Sequence, residues 1–232
     1  MNIKYNIEEI EKRIVKAAKK SGRTRDEIMF LAVTKTHSAK IVDIALDNKI
    51  EFIAENKIQE AENKLPALTN PYKEFHFIGH LQSNKVKKLM KLKPSLIHSI
   101  DKFSTAETLN SFCIKNNIVQ KILVQVNTSN EKSKFGITPE ETVDFVKKVS
   151  LLKNLKIVGL MTIGMFTDNQ LIIRDCFHKL KTLFDEINLK KIANVEMKYL
   201  SMGMTNDFEI AIEEGANIVR IGSAIFGDRD YR

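Results

Sequence analysis

The chain has 232 residues, 43% hydrophobic and 28% charged, with 9 Gly, 4 Pro, 2 Cys and a net charge of +8. This length admits a single α/β barrel, an architecture that runs to about 250 residues as one unit, and the scarcity of Gly and Pro excludes long low-complexity segments. No run approaches the roughly 18 apolar residues of a membrane helix, and the first residues lack a signal-peptide pattern, so a cytoplasmic protein without membrane contact is expected.

A helix is predicted over 7–21. The apolar run 28–34 then reads as a buried strand ending in Thr34 and Lys35. A lysine at the mouth of a core strand is costly, because its ammonium must be solvated, paired or neutralised. Position alone leaves two readings open. The side chain snorkels to the rim, or its pKa is lowered and the neutral amine attacks a carbonyl to form an imine. Further strands are predicted at 51–54, 74–78, 96–99, 121–126, 155–160, 197–201 and 217–221, separated by helices at 38–48, 57–68, 82–92, 103–116, 139–152, 169–188 and 206–214.

Strands that alternate with helices from end to end specify a closed parallel barrel rather than an open sheet. An open doubly wound sheet would also carry a glycine-rich first turn, and the turn here is "TKTHS". The expected fold is therefore α/β: a single (β/α)8 TIM barrel with an extra N-terminal helix, one domain over 1–232.

In this architecture chemistry gathers at the C-terminal strand ends, where Lys35 stands. "SMGMTND" (201–207) follows the seventh strand and "RIGSAIFG" (220–227) lies at the eighth. Thr205 suits an N-cap, Gly222 permits close backbone approach, and Ser223 supplies a hydroxyl. Two such turns after strands seven and eight form a phosphate site, although ordinary turns use the same residues. An imine-forming lysine opposite a phosphate cup suggests pyridoxal 5′-phosphate (PLP), with an aldehyde at one end and a phosphate at the other. Arg220 would then reach the pyridine nitrogen. An arginine leaves that nitrogen neutral, so the ring is a weaker electron sink than when an Asp protonates it.

"AVTKT", "HFIGHLQSNK", "VNTSNEKSKFG", "GLMTI", "LSMGMTND" and "VRIGSAIFG" occur in this order, and with them the chain resembles the pyridoxal-phosphate homeostasis proteins, which share the barrel of the alanine racemase N-terminal domain. The resemblance spans nearly the whole sequence. It implies that Lys35 carries the PLP imine, that Ser201, Thr205, Gly222 and Ser223 surround the phosphate, and that Arg220 lies near the ring nitrogen. Asn56 and Met161 would line the ring pocket. It further implies a PLP carrier or buffer without established turnover, with PLP-dependent apo-enzymes as partners and a monomeric or weakly dimeric state. Two departures stand out: the family's usual "FGEN" reads "IAEN" (53–56), and Thr205 stands where serine is commoner.

Other features have plainer readings. The lysines of "NKVKKLMKLKP" (84–94) are spaced as on the solvated side of an amphipathic helix, without interleaved aromatics, so no nucleic-acid partner is expected. His76 and His80 lack a third metal ligand and read as hydrogen-bonded barrel histidines, and His37 reads as a loop residue. Lys132 and Lys134 read as loop lysines, with a second anion contact as the alternative. Met161, Met202 and Met204 fall at strand ends, where they would pack against a ring. Cys113 and Cys176 lie on different predicted helices, without metal spacing.

The alternative function is a racemase-like PLP enzyme, which needs an acid–base group on each face of the ring, commonly a lysine and a tyrosine. None of Tyr5, Tyr72, Tyr199 and Tyr231 follows a strand end in that manner, and the chain ends soon after the eighth strand, where a racemase continues into a second domain. A cofactor-free Schiff-base aldolase ranks last, because its lysine more often lies later in the barrel.

Overall fold

A computed structural model describes residues 2–131 and 134–227. Eight parallel strands close into a barrel in sequence order: β1 (Met29–Val33), β2 (Phe52–Glu55), β3 (Glu74–Phe77), β4 (Leu96–Ile100), β5 (Gln120–Gln125), β6 (Leu155–Met161), β7 (Val195–Ser201) and β8 (Ile218–Ile221). Closure is made by β1 against β8, with Leu31 opposite Arg220 and Ala32 opposite Ile221. The expected barrel is thus observed, and each predicted strand is found within about two residues of its expected bounds.

Successive side chains of a strand point to opposite faces. On one face Leu31, Ala54, Leu96, Leu123, Val158, Met161 and Ile218 fill the bore, with Met29, Phe52, Ile78 and Tyr199 packed against them. The other face, with Phe30, Ala32, Ile53, Ile97 and Val219, forms the larger core beneath the helices. Both faces are covered, which is why these strands read as continuous apolar runs.

The helices are α1 (Ile3–Lys20), α2 (Ala39–Asp47), α3 (Ile58–Lys64), α4 (Val86–Lys91), α5 (Phe103–Lys115), α6 (Pro139–Ser150), α7 (Gln170–Leu189), α8 (Phe208–Glu213) and α9 (Ser223–Phe226). The extra helix α1 begins four residues before its predicted start, because the Asn2 side chain caps it by accepting from the Tyr5 amide. Its buried stripe of Ile3, Ile7, Ile10, Ile14 and Ala18 packs on α8 and α9. The predicted helix 57–68 is shorter than expected: α3 gives way to a 3₁₀ turn at Leu65–Ala67, where Pro66 cannot donate to the ladder. In α4 the lysines are exposed and Val86, Leu89 and Met90 buried, so the basic run is a solvated face. Cys113 and Cys176 are buried free thiols. Among the described residues no helix is long and apolar enough to cross a membrane.

Candidate functional site

The C-terminal mouth gathers the turns that follow the strands. After β1, Thr34 turns outward: its amide donates to Ala54 O at 3.0 Å and its hydroxyl to Glu55 Oε1 at 2.6 Å. Lys35 follows, half-buried, in a turn that Thr36 completes with a left-handed φ of 69°. Both sides of this turn are held from α3. Lys64 Nζ donates to Thr34 O at 2.6 Å, and Glu60 Oε2 accepts from the Thr36 amide at 2.8 Å. Lys64 also donates to Glu55 Oε1, and the two form an ion pair 7% and 0% exposed. Burial pushes the Glu55 carboxyl above its ordinary range, opposed by its bonds from Lys64 and Thr34. Glu55 therefore serves the outer face of the barrel.

The turns after β7 and β8 meet each other. Ser223 Oγ donates to Thr205 Oγ1 at 3.1 Å, and the Ala224 amide reaches the same oxygen at 3.3 Å. Thr205 is half-buried and Ser223 exposed, so the pair stands open at the mouth. Gly222 brings this turn against β1, since a Cβ there would lie 3.1 Å from Val33 O and 3.4 Å from Val33 Cβ. The hydroxyl pair and Lys35 thus leave from neighbouring strand ends.

Ser201 is bonded inside the barrel. It ends β7 fully buried, accepts from Arg220 Nη1 at 2.8 Å and lies 3.0 Å from His98 Nδ1. Its hydroxyl belongs with Arg220, whereas Thr205 and Ser223 pair separately. Arg220 is also tied by Nη2 to Thr162 O at 2.8 Å. Burial pushes its guanidinium down to about 10, against the charge of Asp207, so it stays a cation at neutral pH. On the next sector of the mouth Asn56 follows β2 with a buried Oδ1 that has no hydrogen-bond partner among the described residues. Gly79 packs on it so tightly that a Cβ would lie 1.9 Å from Asn56 O. Met161 is buried in the bore at the end of β6.

Met202 is buried in the outer core and Met204 is exposed, so of the strand-end methionines only Met161 faces the bore. His76 is a hydrogen-bonded barrel histidine, bonded to Glu74 and His98, and no metal-holding cluster occurs among the described residues. His80 stacks on Phe135 with ring centroids 3.8 Å apart, and His37 sits in the loop over Phe226 at 4.6 Å. Lys134 is a structural tie, donating to Gly164 O at 2.9 Å, and Lys132 lies outside the described residues. Lys64 and Glu60 lie in a helical stretch that no sequence motif marks. An open hollow of about 1100 Å³ lies at the opposite mouth, lined by Met29, Phe52, Lys73, Lys198 and Tyr199. Chemistry in this architecture sits at the C-terminal end, so the hollow is not the site.

The model of the alanine racemase N-terminal domain family matches residues 2–230. The pyridoxal phosphate homeostasis protein of Aquifex aeolicus is 41% identical over 231 residues, covering 100% of both chains. PipY of Synechococcus elongatus PCC7942, solved with PLP bound, superposes with a TM-score of 0.80 at 28% identity, over 92% of this chain and 100% of that one. An alanine racemase of Clostridium difficile 630 shares the fold, with a TM-score of 0.76 at 14% identity, over 99% of this chain and 57% of the racemase.

Proposed function

The chain belongs to the family of pyridoxal phosphate homeostasis proteins, built on the alanine racemase N-terminal domain, and from that premise we propose that it binds PLP through Lys35 and holds it as a carrier or buffer. The observation that carries this reading is the Thr205–Ser223 hydroxyl pair, which Gly222 sets against the strand end that bears Lys35. PLP, when bound, supplies an aldehyde that condenses with a primary amine and a ring that withdraws electrons.

The residues present suit that molecule. Thr205 and Ser223 offer hydroxyls to the phosphate, with Gly222 leaving room for it. Asn56 offers an acceptor or amide to the ring substituents, and its unpartnered buried Oδ1 is what an absent polar ligand would satisfy. Met161 supplies an apolar wall. Arg220, a cation at neutral pH, would face the ring nitrogen and donate to it without protonating it. Ser201 acts through Arg220 rather than on the phosphate.

Holding rather than turnover is favoured by the same groups. An arginine at the ring nitrogen keeps the electron sink weak. Among the described residues no tyrosine stands at the C-terminal mouth: Tyr5 is exposed on α1, Tyr72 packs on the outer core, and Tyr199 lines the opposite hollow. Tyr231 lies outside the described residues. We place the whole chain, 1–232, in one PLP-binding unit, cytoplasmic, monomeric or weakly dimeric, that passes PLP to apo-enzymes.

The test is the absorption spectrum of the purified protein with PLP, for wild type and Lys35→Ala. A band near the visible edge in wild type that the variant lacks supports the reading. A colourless wild-type protein after added PLP overturns it. Sustained change in optical rotation with either enantiomer of common amino acids would replace the carrier with a racemase.

A further inference from the structure

The bore of an eight-stranded barrel is filled by layers of branched apolar side chains, and Leu31, Leu96, Leu123 and Val158 do so here. Through this filling runs one unbroken line of polar groups. Glu74 Oε2 lies 2.9 Å from His76 Nε2, His76 Nδ1 lies 3.0 Å from His98 Nε2, and His98 Nδ1 lies 3.0 Å from Ser201 Oγ. Arg220 Nη1 closes the line on Ser201 Oγ at 2.8 Å. His76, His98 and Ser201 are 0% exposed and Arg220 4%. Glu74, the first residue of β3 at the N-terminal mouth, is 35% exposed.

One direction along this line satisfies both of its ends. An ionised carboxylate only accepts, and Glu74 is held below the ordinary carboxylate range first by its bond from His76. His76 Nε2 therefore carries a proton, and the one-way chain inferred below has Nδ1 of that ring as an acceptor. His98 must then donate from Nε2. Burial pushes His98 well below the usual histidine range, so it is neutral and its Nδ1 accepts. Ser201 must donate to that nitrogen, which leaves its lone pairs for Arg220, and a guanidinium only donates. Every bond is satisfied in one sense, from Arg220 to Glu74. Among the described residues no carboxylate makes an ion pair with Arg220. Asp207 acts on it at longer range, and the carboxylate joined to it by hydrogen bonds is Glu74, at the far end of the barrel.

We infer that Glu74, His76, His98 and Ser201 are positioning residues for Arg220: a single polarised chain that fixes the guanidinium at the ligand end from the opposite mouth. The inference rests on the reading that Arg220 faces the PLP ring. Such networks are held together only when each member is satisfied, so a change at Glu74 is transmitted to Arg220 without any contact between Glu74 and the ligand.

The experiment compares wild type, Glu74→Leu and Glu74→Gln in the full chain. Wild-type PLP binding is measured first, and its absence would overturn the functional reading independently of the variants. The ¹⁵N spectrum of the PLP-free protein should show the Nε2–H tautomer at both His76 and His98. Glu74→Leu, which removes the acceptor, should mix the tautomers at His98. It should also shift the absorption maximum of bound PLP and weaken PLP binding about three- to tenfold, the worth of one buried hydrogen bond. Glu74→Gln keeps an acceptor and should hold the wild-type tautomers with affinity within about twofold. Unchanged tautomers in Glu74→Leu, or changed tautomers with wild-type spectrum and affinity, would overturn the inference. Glu74→Ala, read in the same way, serves if the leucine variant does not fold.

Discussion

Lys64 Nζ donates a hydrogen bond of 2.6 Å to the main-chain oxygen of Thr34, the residue before Lys35. Four residues earlier on the same helix, Glu60 accepts from the amide of Thr36, the residue after it. One helix face therefore grips the turn on both sides of the lysine proposed to bind PLP. A backbone held in this way fixes the point from which the Lys35 side chain leaves the turn.

Removing one partner of a buried ion pair leaves the other charge uncompensated. Lys64→Met should destabilise the protein by about 3–5 kcal/mol, because Glu55 is fully buried beside it. Combining it with Glu55→Gln should recover much of that loss, since the stranded charge goes too. Urea unfolding of the two single variants and the double variant measures this. Additive losses would show that the pair does not act as a unit.

The hydroxyls of Thr205 and Ser223 are assigned to the phosphate, so their removal should discriminate between PLP and pyridoxal. Thr205→Val and Ser223→Ala should each weaken PLP binding about tenfold while leaving pyridoxal nearly unchanged, as one hydrogen bond to a charged group is lost. Titration of the absorption band with both ligands gives the answer. Equal losses for both would move the phosphate elsewhere.

Glu74 gives a signed pH dependence. Its folded-state pKa is lowered from 4.5, first by the hydrogen bond from His76. Its contribution to stability is present above the unfolded value and is lost as pH falls through the lower folded value. Urea midpoints followed from neutral pH downward should fall more steeply in wild type than in Glu74→Gln below pH 4.5. Parallel curves would contradict the bond.

Gly79→Ala would drive a Cβ to 1.9 Å from Asn56 O, a backbone atom that cannot swing aside. Overpacking of this kind costs about 1–3 kcal/mol, and the shift falls on the residue whose buried Oδ1 is assigned to the ligand. Thermal unfolding should show the loss, and PLP should bind more weakly even where the protein remains folded. Wild-type stability and affinity together would mean that the loop relaxes outward.

The order of elements was legible because apolar runs of strand length alternate with helical periods, and parallel strands buried on both faces leave that pattern in any chain. Lys35 could be marked for the same reason, as a charge that breaks an apolar run at its end. Thr205 and Ser223 announced themselves as turn residues after the last two strands. Closure decided the rest. His98 and Ser201 are 103 positions apart and meet only across the bore, and a serine in a polar turn reads equally well as a phosphate ligand or as a partner of Arg220. Lys64 looks like any helical lysine until Glu55 is seen turning outward beneath it. Periodicity along the chain reports which face of an element is buried. It carries no information about which polar groups from distant strands will share the interior, because that depends on register and curvature that exist only once the sheet has closed on itself.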